Sequence, residues 1–162
     1  QITILKAINI LKKKKINFRF CLIGGGYKIQ ELKEYIKKNK LSNYVQFLGY
    51  KKNASDYLSF SDLFVLSSKY EGLPNVIIEA QLKNIPIISS NCSTGPKEIL
   101  LGQKLGTLFK VGDYLSLSNE IMKFNRNNKS FLKKANLAKK YLYRFDYEKN
   151  LNKYYKVIKQ IL

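Results

Sequence analysis

Helical periodicity marks both ends of the chain. Over residues 2–14 the apolar positions recur at the three- and four-residue spacing of an amphipathic helix, and a lysine cluster follows them. From Tyr114 the same spacing returns and predicts three further helices, over 114–125, 130–143 and 147–161. The polar run Asn125-Arg126-Asn127-Asn128 separates the first two of these. Helices therefore frame a middle part whose pattern is different.

The middle part alternates short apolar runs with helical stretches. The predicted strands are residues 17–23, 44–48, 63–66, 86–89 and 105–109. The predicted helical segments are 28–39, 53–59, 74–84 and 97–101. Residues 63–66 are apolar at every position, which is typical of a strand covered on both faces. The sequence thus predicts an α/β fold: a Rossmann-like open parallel sheet with helices on both faces and C-terminal helices, in a single domain over residues 1–162.

Polar and glycine-rich loops follow the predicted strands. In open parallel sheets, ligands bind beyond the carboxyl ends of the strands. Gly24-Gly25-Gly26 stands where a nucleotide-binding turn would stand, but it matches neither the dinucleotide fingerprint nor a Walker loop. It is equally compatible with a tight structural turn. The loop Asn91-Cys92-Ser93-Thr94-Gly95-Pro96 is compatible with a capped loop or with a close approach of a ligand to Gly95.

Residues 70–80 hold the most distinctive pattern in the chain. Glu71 and Glu79 flank a Gly-Leu-Pro turn, and Pro74 suits the first position of the apolar helix that follows. The free N–H groups and the dipole at the start of a helix attract anions such as phosphate. Glu79 lies in an apolar segment and is expected to need a partner, since burial of an unpaired charge is costly. An anion cradle between two carboxylates fits a ligand with phosphates and hydroxyls, such as a sugar nucleotide.

Composition excludes several kinds of site. The chain has no histidine, so imidazole catalysis, Ser-His-Asp triads and His-based zinc sites are excluded from it. Its two cysteines give neither metal spacing nor a disulfide framework; Cys21 is expected in the core, Cys92 in an exposed loop, and a reducing cytoplasm is the expected setting. No apolar run is long enough to span a bilayer. The start resembles a helix entered partway, which suggests a piece of a longer protein.

The net charge of +19 leaves three interpretations. Lysines spread over all helices favour an ordinary solvated surface, and an anionic membrane surface is the alternative kept open. Nucleic acid is disfavoured because the basic residues form no single motif. Arginine, which reads bases and phosphates in bidentate fashion, occurs only as Arg19, Arg126 and Arg144.

Taken together, the motifs resemble those of a known protein family. Their order over residues 1–161 closely resembles the C-terminal, donor-binding half of family 4 of the retaining glycosyltransferases, which have the two-domain GT-B architecture. The motifs are the glycine turn after the first strand, Phe47-Leu48-Gly49-Tyr50, Ser61-Asp62-Leu63-Phe64-Val65-Leu66-Ser67-Ser68, Glu71-Gly72-Leu73-Pro74-Asn75 with Glu79, Gly95-Pro96-Lys97-Glu98 and the tail Arg144-Phe145-Asp146-Tyr147-Glu148.

The resemblance implies a role for each matching residue. Glu71 would be the catalytic-site residue that contacts hydroxyls of the donor sugar, Glu79 would hold the ribose, and the backbone N–H groups around residues 73–75 would meet the diphosphate. The implied donor-binding set is Gly24, Gly25, Gly49, Tyr50, Gly72, Leu73, Pro74, Asn75, Glu79, Gly95 and Glu98. The family's Gly-Gly turn is Thr94-Gly95 here, which leaves the contacts of that loop open.

The resemblance also implies a reaction and partners. A hexose would pass with retention from a nucleotide sugar, with UDP-sugar expected as the commonest donor, to a glycan or lipid-linked acceptor in bacterial surface polysaccharide, lipopolysaccharide or glycoprotein synthesis. No metal or other cofactor is implied, and the setting would be cytoplasmic, peripheral on the inner face of the membrane.

The resemblance places part of the active site outside this segment. The acceptor domain and a basic residue for the donor phosphates are expected upstream, so the isolated segment should be inactive. The alternatives are a sugar-nucleotide epimerase or another GT-B enzyme half such as a phosphorylase, or a basic module that binds membrane or nucleic acid.

Overall fold

The computed structural model describes residues 1–161 and shows the predicted alternation of strand and helix. The helices are α1 Ile2–Lys13, α2 Ile29–Lys38, α3 Asn75–Leu82, α4 Pro96–Ile99, α5 Tyr114–Arg126, α6 Lys129–Lys140 and α7 Tyr147–Ile161, with 3-10 segments at Ala54–Phe60 and Leu142–Phe145. The strands are β1 Phe20–Ile23, β2 Val45–Gly49, β3 Phe64–Leu66, β4 Ile87–Ser90 and β5 Thr107–Phe109. The predicted α/β class with parallel strands and flanking helices is confirmed.

The strands form two hydrogen-bonded ladders rather than the one sheet that was expected. β1 pairs only with β2, in parallel, with a register shift between Leu22 and Ile23. β3, β4 and β5 form a second parallel sheet in that order, with Phe64 opposite Ile87 and Ile88 opposite Thr107. All carboxyl ends within a ladder therefore lie at the same edge.

Helices cover both faces of the second sheet, as predicted, but only one face of the ladder formed by β1 and β2. The apolar faces of α1, α2 and α5 pack on one side, in a cluster that includes residues of all five strands. On the other side, residues of α3, α4 and α6 pack on the second sheet. Leu5, Ile8 and Leu117 in the first cluster are fully buried, and each such side chain stabilises the fold by about 1.5–3 kcal/mol. This two-sided core fixes the ends of the strands from which the candidate site is built.

The two cysteines contradict their predicted environments. Cys21 is exposed although it lies in β1, because it points to the face opposite the buried Leu22. Cys92 is buried, and its thiol donates a hydrogen bond of 3.1 Å to the carbonyl of Ser68. A strand pattern alone did not reveal that only one face of β1 is covered. Cys92 is buried because its side chain packs against the neighbouring loop, at the Ser68 carbonyl.

Candidate functional site

The loop after β3 delivers the Glu-Gly-Leu-Pro sequence to the start of α3. Pro74 has φ −72° and ψ 91°, so it precedes the helix, which begins at Asn75. The expectation that Pro74 is the first helical residue is thus wrong by one position. The Pro74 carbonyl accepts the N–H of Ile77 at 2.9 Å. The N–H groups of Asn75 and Val76 are left without intrahelical acceptors, as at any helix start.

Glu71 is held at both its side chain and its backbone. The Ser68 hydroxyl donates to Glu71 Oε1 at 2.5 Å, within the same loop. The Thr94 hydroxyl, from the loop after β4, donates to the Glu71 carbonyl at 2.5 Å. Glu71 is half-buried. Its carboxylate is therefore oriented by one loop while its backbone is fixed by another.

Gly95 packs against the Glu71 loop. Its φ of +88° favours glycine, and a Cβ atom there would lie 2.2 Å from the Gly72 carbonyl oxygen and 2.7 Å from Pro74 Cδ. The absent side chain thus allows two protein loops to meet. The sequence left open whether Gly95 allows close packing within the protein or the close approach of a ligand. The structure favours close packing within the protein at Gly95.

Buried side chains that the sequence did not single out join the two loops. Ser90, fully buried at the end of β4, donates to the Ser68 carbonyl at 2.7 Å. The thiol of Cys92 donates to the same carbonyl. The signal available in the sequence was the pair Ser89-Ser90 at the end of an apolar strand, where a hydroxyl finds a backbone partner more readily than water.

Glu79 differs from Glu71 in having no partner in the described part of the chain. It is half-buried on α3, and its carboxylate takes part in no hydrogen bond or ion pair with residues 1–161. The partner expected for a buried carboxylate is absent, and partial exposure lets water solvate the charge instead. The carboxylate of Glu79 therefore remains available to accept hydrogen bonds from hydroxyl groups.

The glycines after β1 and β2 form a second group. The Gly24 N–H donates to the Gly49 carbonyl at 2.8 Å, which ties the two strand-end turns together. Gly24 and Gly49 have φ of +126° and +66°, while no atom lies within 4 Å of a Cβ built on Gly24, Gly25, Gly49 or Gly72. Tyr50 beside them is 81% exposed. These turns leave open space around their backbones.

Glu98 is joined to the C-terminal segment. It is exposed on α4, and its carbonyl accepts the Arg144 guanidinium at 2.9 Å, beside a second bond of 3.1 Å from Arg144 to the Ile99 carbonyl. Within residues 1–161, no hydrogen bond joins the Glu98 carboxylate to Glu71, Glu79 or the glycine turns. The sequence did not reveal this position for Arg144, which depends on a contact between segments far apart in the chain.

No group of three or more His, Cys, Asp or Glu side chains within residues 1–161 is arranged to hold a metal ion. In the same residues, no helix is long and apolar enough to cross a membrane.

Comparison with known proteins finds relatives that are glycosyltransferases. The model of the family "Glycosyl transferases group 1" matches residues 1–144. An uncharacterized glycosyltransferase of Methanocaldococcus jannaschii is 41% identical over 97 residues, which are 60% of this chain. The amylovoran biosynthesis glycosyltransferase AmsD of Erwinia amylovora is 37% identical over 86 residues, or 53% of this chain.

Solved structures give the same fold. Anabaena HepE, solved in complex with UDP, superposes over 99% of this chain with a TM-score of 0.88 at 21% identity. The match spans 24% of the length of each curated relative and 45% of HepE, so this chain corresponds to part of those proteins. The Rossmann-like fold, the strand-end loops around Glu71 and the family match over residues 1–144 agree: the chain belongs to the group 1 glycosyltransferases.

Proposed function

We propose that this chain is the donor-binding half of a retaining glycosyltransferase of family 4, within a two-domain GT-B enzyme. Its donor is a nucleotide-diphosphate sugar, and UDP-sugar is the first candidate. The presence of UDP in the HepE complex and the role of AmsD in amylovoran biosynthesis support this choice of donor and an acceptor in polysaccharide synthesis. A lipid-linked acceptor is proposed on the same basis, with the acceptor domain outside these residues.

One observation carries the proposal. Glu71 is oriented by Ser68 and Thr94 beside the start of α3, while Glu79 on the same helix has no partner in the described chain. Because Glu79 is partly exposed, its carboxylate is solvated by water that the hydroxyl groups of a ligand can replace. The Glu71 carboxylate is held in one orientation, and the Glu79 carboxylate is free to accept hydrogen bonds. The free N–H groups at the start of α3 lie between the two residues in the sequence. This arrangement suits a ligand that carries both hydroxyls and phosphates.

The proposed roles follow from this arrangement. Glu71 accepts hydrogen bonds from donor-sugar hydroxyls, and Glu79 accepts them from the ribose. The backbone N–H groups of Leu73 and Asn75, just before and at the start of α3, meet the diphosphate, and Lys69 adds positive charge nearby. The open turns at Gly24, Gly25, Gly49 and Tyr50 face the nucleoside. Gly95 keeps the Glu71 loop in place, and Glu98 belongs to the helix that follows it.

In the proposed reaction, the acceptor hydroxyl oxygen attacks the anomeric carbon on the face from which the diphosphate departs. The bond from the anomeric carbon to the diphosphate oxygen breaks, and that oxygen takes the acceptor's proton. No protein base is needed, so a segment without histidine can contribute to such a site. Helix N–H groups and cations stabilise the charge that develops on the leaving diphosphate, and we propose that the transfer does not depend on a metal.

The proposal is tested by donor binding to the full-length protein. A panel of UDP-glucose, UDP-galactose, UDP-N-acetylglucosamine and GDP-mannose is screened by ligand-observed NMR. We expect a UDP-sugar to bind and Glu79→Gln to weaken it roughly tenfold or more, since loss of a charged acceptor costs about 1.5–3 kcal/mol. Glu120→Gln is the matched control, because Glu120 pairs with Lys123 on α5.

Three results would contradict the proposal. If the Glu79→Gln variant bound UDP-sugars with unchanged affinity, Glu79 would not be the residue that holds the ribose. Conversion of the nucleotide sugar to its epimer without an acceptor would favour the epimerase alternative. Salt-dependent binding of generic DNA that survives Glu79→Ala would instead indicate a nucleic-acid module.

A membrane surface is proposed as a further partner because of α7. All of its residues except the half-buried Asn150 are exposed. Its lysines face away from an apolar stripe formed by Tyr147, Leu151, Tyr154, Ile158 and Ile161. Helices of this type lie in the interface of anionic membranes. We propose a cytoplasmic enzyme, peripheral on the inner face of the membrane.

A further inference from the structure

Ser68 is the residue at which the loops after β3 and β4 meet. Its hydroxyl donates to Glu71 Oε1 at 2.5 Å. Its carbonyl accepts the Ser90 hydroxyl at 2.7 Å and the Cys92 thiol at 3.1 Å. A backbone carbonyl has two lone pairs, so these bonds use its acceptor capacity in full. The side chain of Ser68 thus acts on Glu71, while its backbone is held from the other loop.

Both donors to the Ser68 carbonyl are buried. Ser90 is fully buried and Cys92 is 4% exposed. Water cannot readily replace either bond, and a buried carbonyl or hydroxyl that loses its partner destabilises the fold. Ser90 is the last residue of β4, which lies between β3 and β5. The peptide group of Ser68 is therefore fixed to the central strand of the second sheet.

The bond from Ser68 leaves Glu71 with one free carboxylate oxygen. An O–H···O⁻ distance of 2.5 Å is at the short end of the range for charge-assisted hydrogen bonds. This bond holds Oε1, whereas Oε2 takes part in no hydrogen bond or ion pair with residues 1–161. The Thr94 hydroxyl fixes the Glu71 carbonyl as well. The direction of Oε2 is therefore set from both ends of the residue.

Ser89 shows that burial of a hydroxyl does not require such a bond between loops. It is fully buried beside Ser90, but its hydroxyl donates at 3.1 Å to the carbonyl of Ser90, the next residue of the same strand. Ser90 and Cys92 instead donate to a carbonyl that lies 22 and 24 residues away in the sequence. Their bonds thus determine where Ser68 lies, beyond satisfying a buried hydroxyl and a buried thiol.

We propose that Ser68, Ser90 and Cys92 are positioning residues for recognition of the donor sugar. Ser90 and Cys92 act through the Ser68 carbonyl, and Ser68 acts on Glu71 through its hydroxyl. The inference rests on the proposed function, in which Glu71 contacts the donor sugar. It has a specific consequence: the three residues affect affinity for the sugar part of the donor, and leave affinity for the nucleoside diphosphate unchanged.

Calorimetry on the full-length protein tests the proposal, with the tightest-binding nucleotide sugar of the four-donor panel and its nucleoside diphosphate as the two ligands. Ser68→Ala should weaken binding of the nucleotide sugar about three- to tenfold, because an unheld Glu71 side chain must be ordered on binding. Binding of the nucleoside diphosphate should not change. Ser90→Ala and Cys92→Ala should have the same selective effect, and Cys92→Ser, which keeps a donor, should restore wild-type affinity. Ser89→Ala is the matched control, because it removes a buried hydroxyl that does not contact the Ser68 loop.

Three outcomes would overturn the proposal. Equal losses of affinity for both ligands would mean that these bonds support the fold alone. Unchanged affinity of Ser68→Ala for the nucleotide sugar, in a protein that Glu71→Ala weakens, would leave Glu71 in place and remove its positioning residues. Unchanged affinity after Glu71→Ala would instead contradict the role of Glu71 in the proposed function, and this inference with it. Ser68→Ala keeps both bonds to its own carbonyl and Cys92→Ala keeps the one from Ser90, so the test stands even if Ser90→Ala does not fold.

Discussion

Several residues at the candidate site make contacts with a neighbouring loop that explain why that residue type stands there. Gly95 fits between Gly72 and Pro74, and Ser90 and Cys92 both donate to one carbonyl, that of Ser68. These contacts cross from one strand end to the next. They give the loop that carries Glu71 a defined position, which would lower the ordering cost of binding the proposed donor.

Gly95→Ala tests this view at the residue scale. We expect the free energy of unfolding to fall by roughly 2–3 kcal/mol, because the new Cβ meets backbone atoms of Gly72 and a positive φ disfavours alanine. The matched control is Gly112→Ala: Gly112 has φ +79° and open space around it, so only the dihedral strain of about 1 kcal/mol applies. Chemical denaturation of both variants gives the comparison. Equal losses would mean that the contact with Gly72 has no energetic weight.

At the scale of elements, periodicity predicted every helix and strand but not their pairing. The apolar spacing in residues 2–14 is local, so α1 was accessible from the sequence. The division into two ladders depends on which strands meet, and no local pattern encodes it. The motif around Glu71 was found because its residues are consecutive. Its support from Thr94 and Gly95 was not, because these contacts join separate loops.

Arg144 offers a test of how elements are held together. Its guanidinium donates to the carbonyls of Glu98 and Ile99 at the end of the four-residue α4, where no intrahelical donors remain. Arg144→Met should lower the free energy of unfolding by about 2 kcal/mol, and Arg144→Lys by less, since an ammonium group lacks the planar fork that reaches both oxygens. Arg126→Met, on an exposed residue of α5, is the control and should have little effect. Denaturation midpoints that coincide for the Arg144 and Arg126 variants would contradict this role.

At the scale of the whole molecule, positive charge is largely uncompensated. Thirty Lys and Arg residues face eleven Asp and Glu residues, and within residues 1–161 only Lys28–Glu31 and Lys123–Glu120 come close enough to form ion pairs. Most lysines are therefore solvated and repel one another. On α6 the apolar face is buried in the core and Lys134 donates a hydrogen bond to the Gly106 carbonyl, so the exposed Lys133, Lys139 and Lys140 contribute charge alone. On α7 the lysines stand opposite an apolar stripe that is also exposed, and the two features together make this helix the proposed membrane-binding element.

Vesicle binding by the full-length protein tests this distinction. We expect co-sedimentation with vesicles that contain about 30% anionic phospholipid and none with neutral vesicles, with a loss of binding as salt is raised. Replacement of Lys149, Lys153 and Lys156 by Gln should weaken binding by up to about 100-fold, since each lysine near an anionic surface contributes about 1 kcal/mol. Replacement of Lys133, Lys139 and Lys140 on α6 removes the same charge from a helix without an exposed apolar stripe, and should weaken binding less. Equal effects of the two triple variants would show that binding depends on net charge alone. Equal sedimentation with neutral and anionic vesicles would contradict binding to an anionic membrane surface.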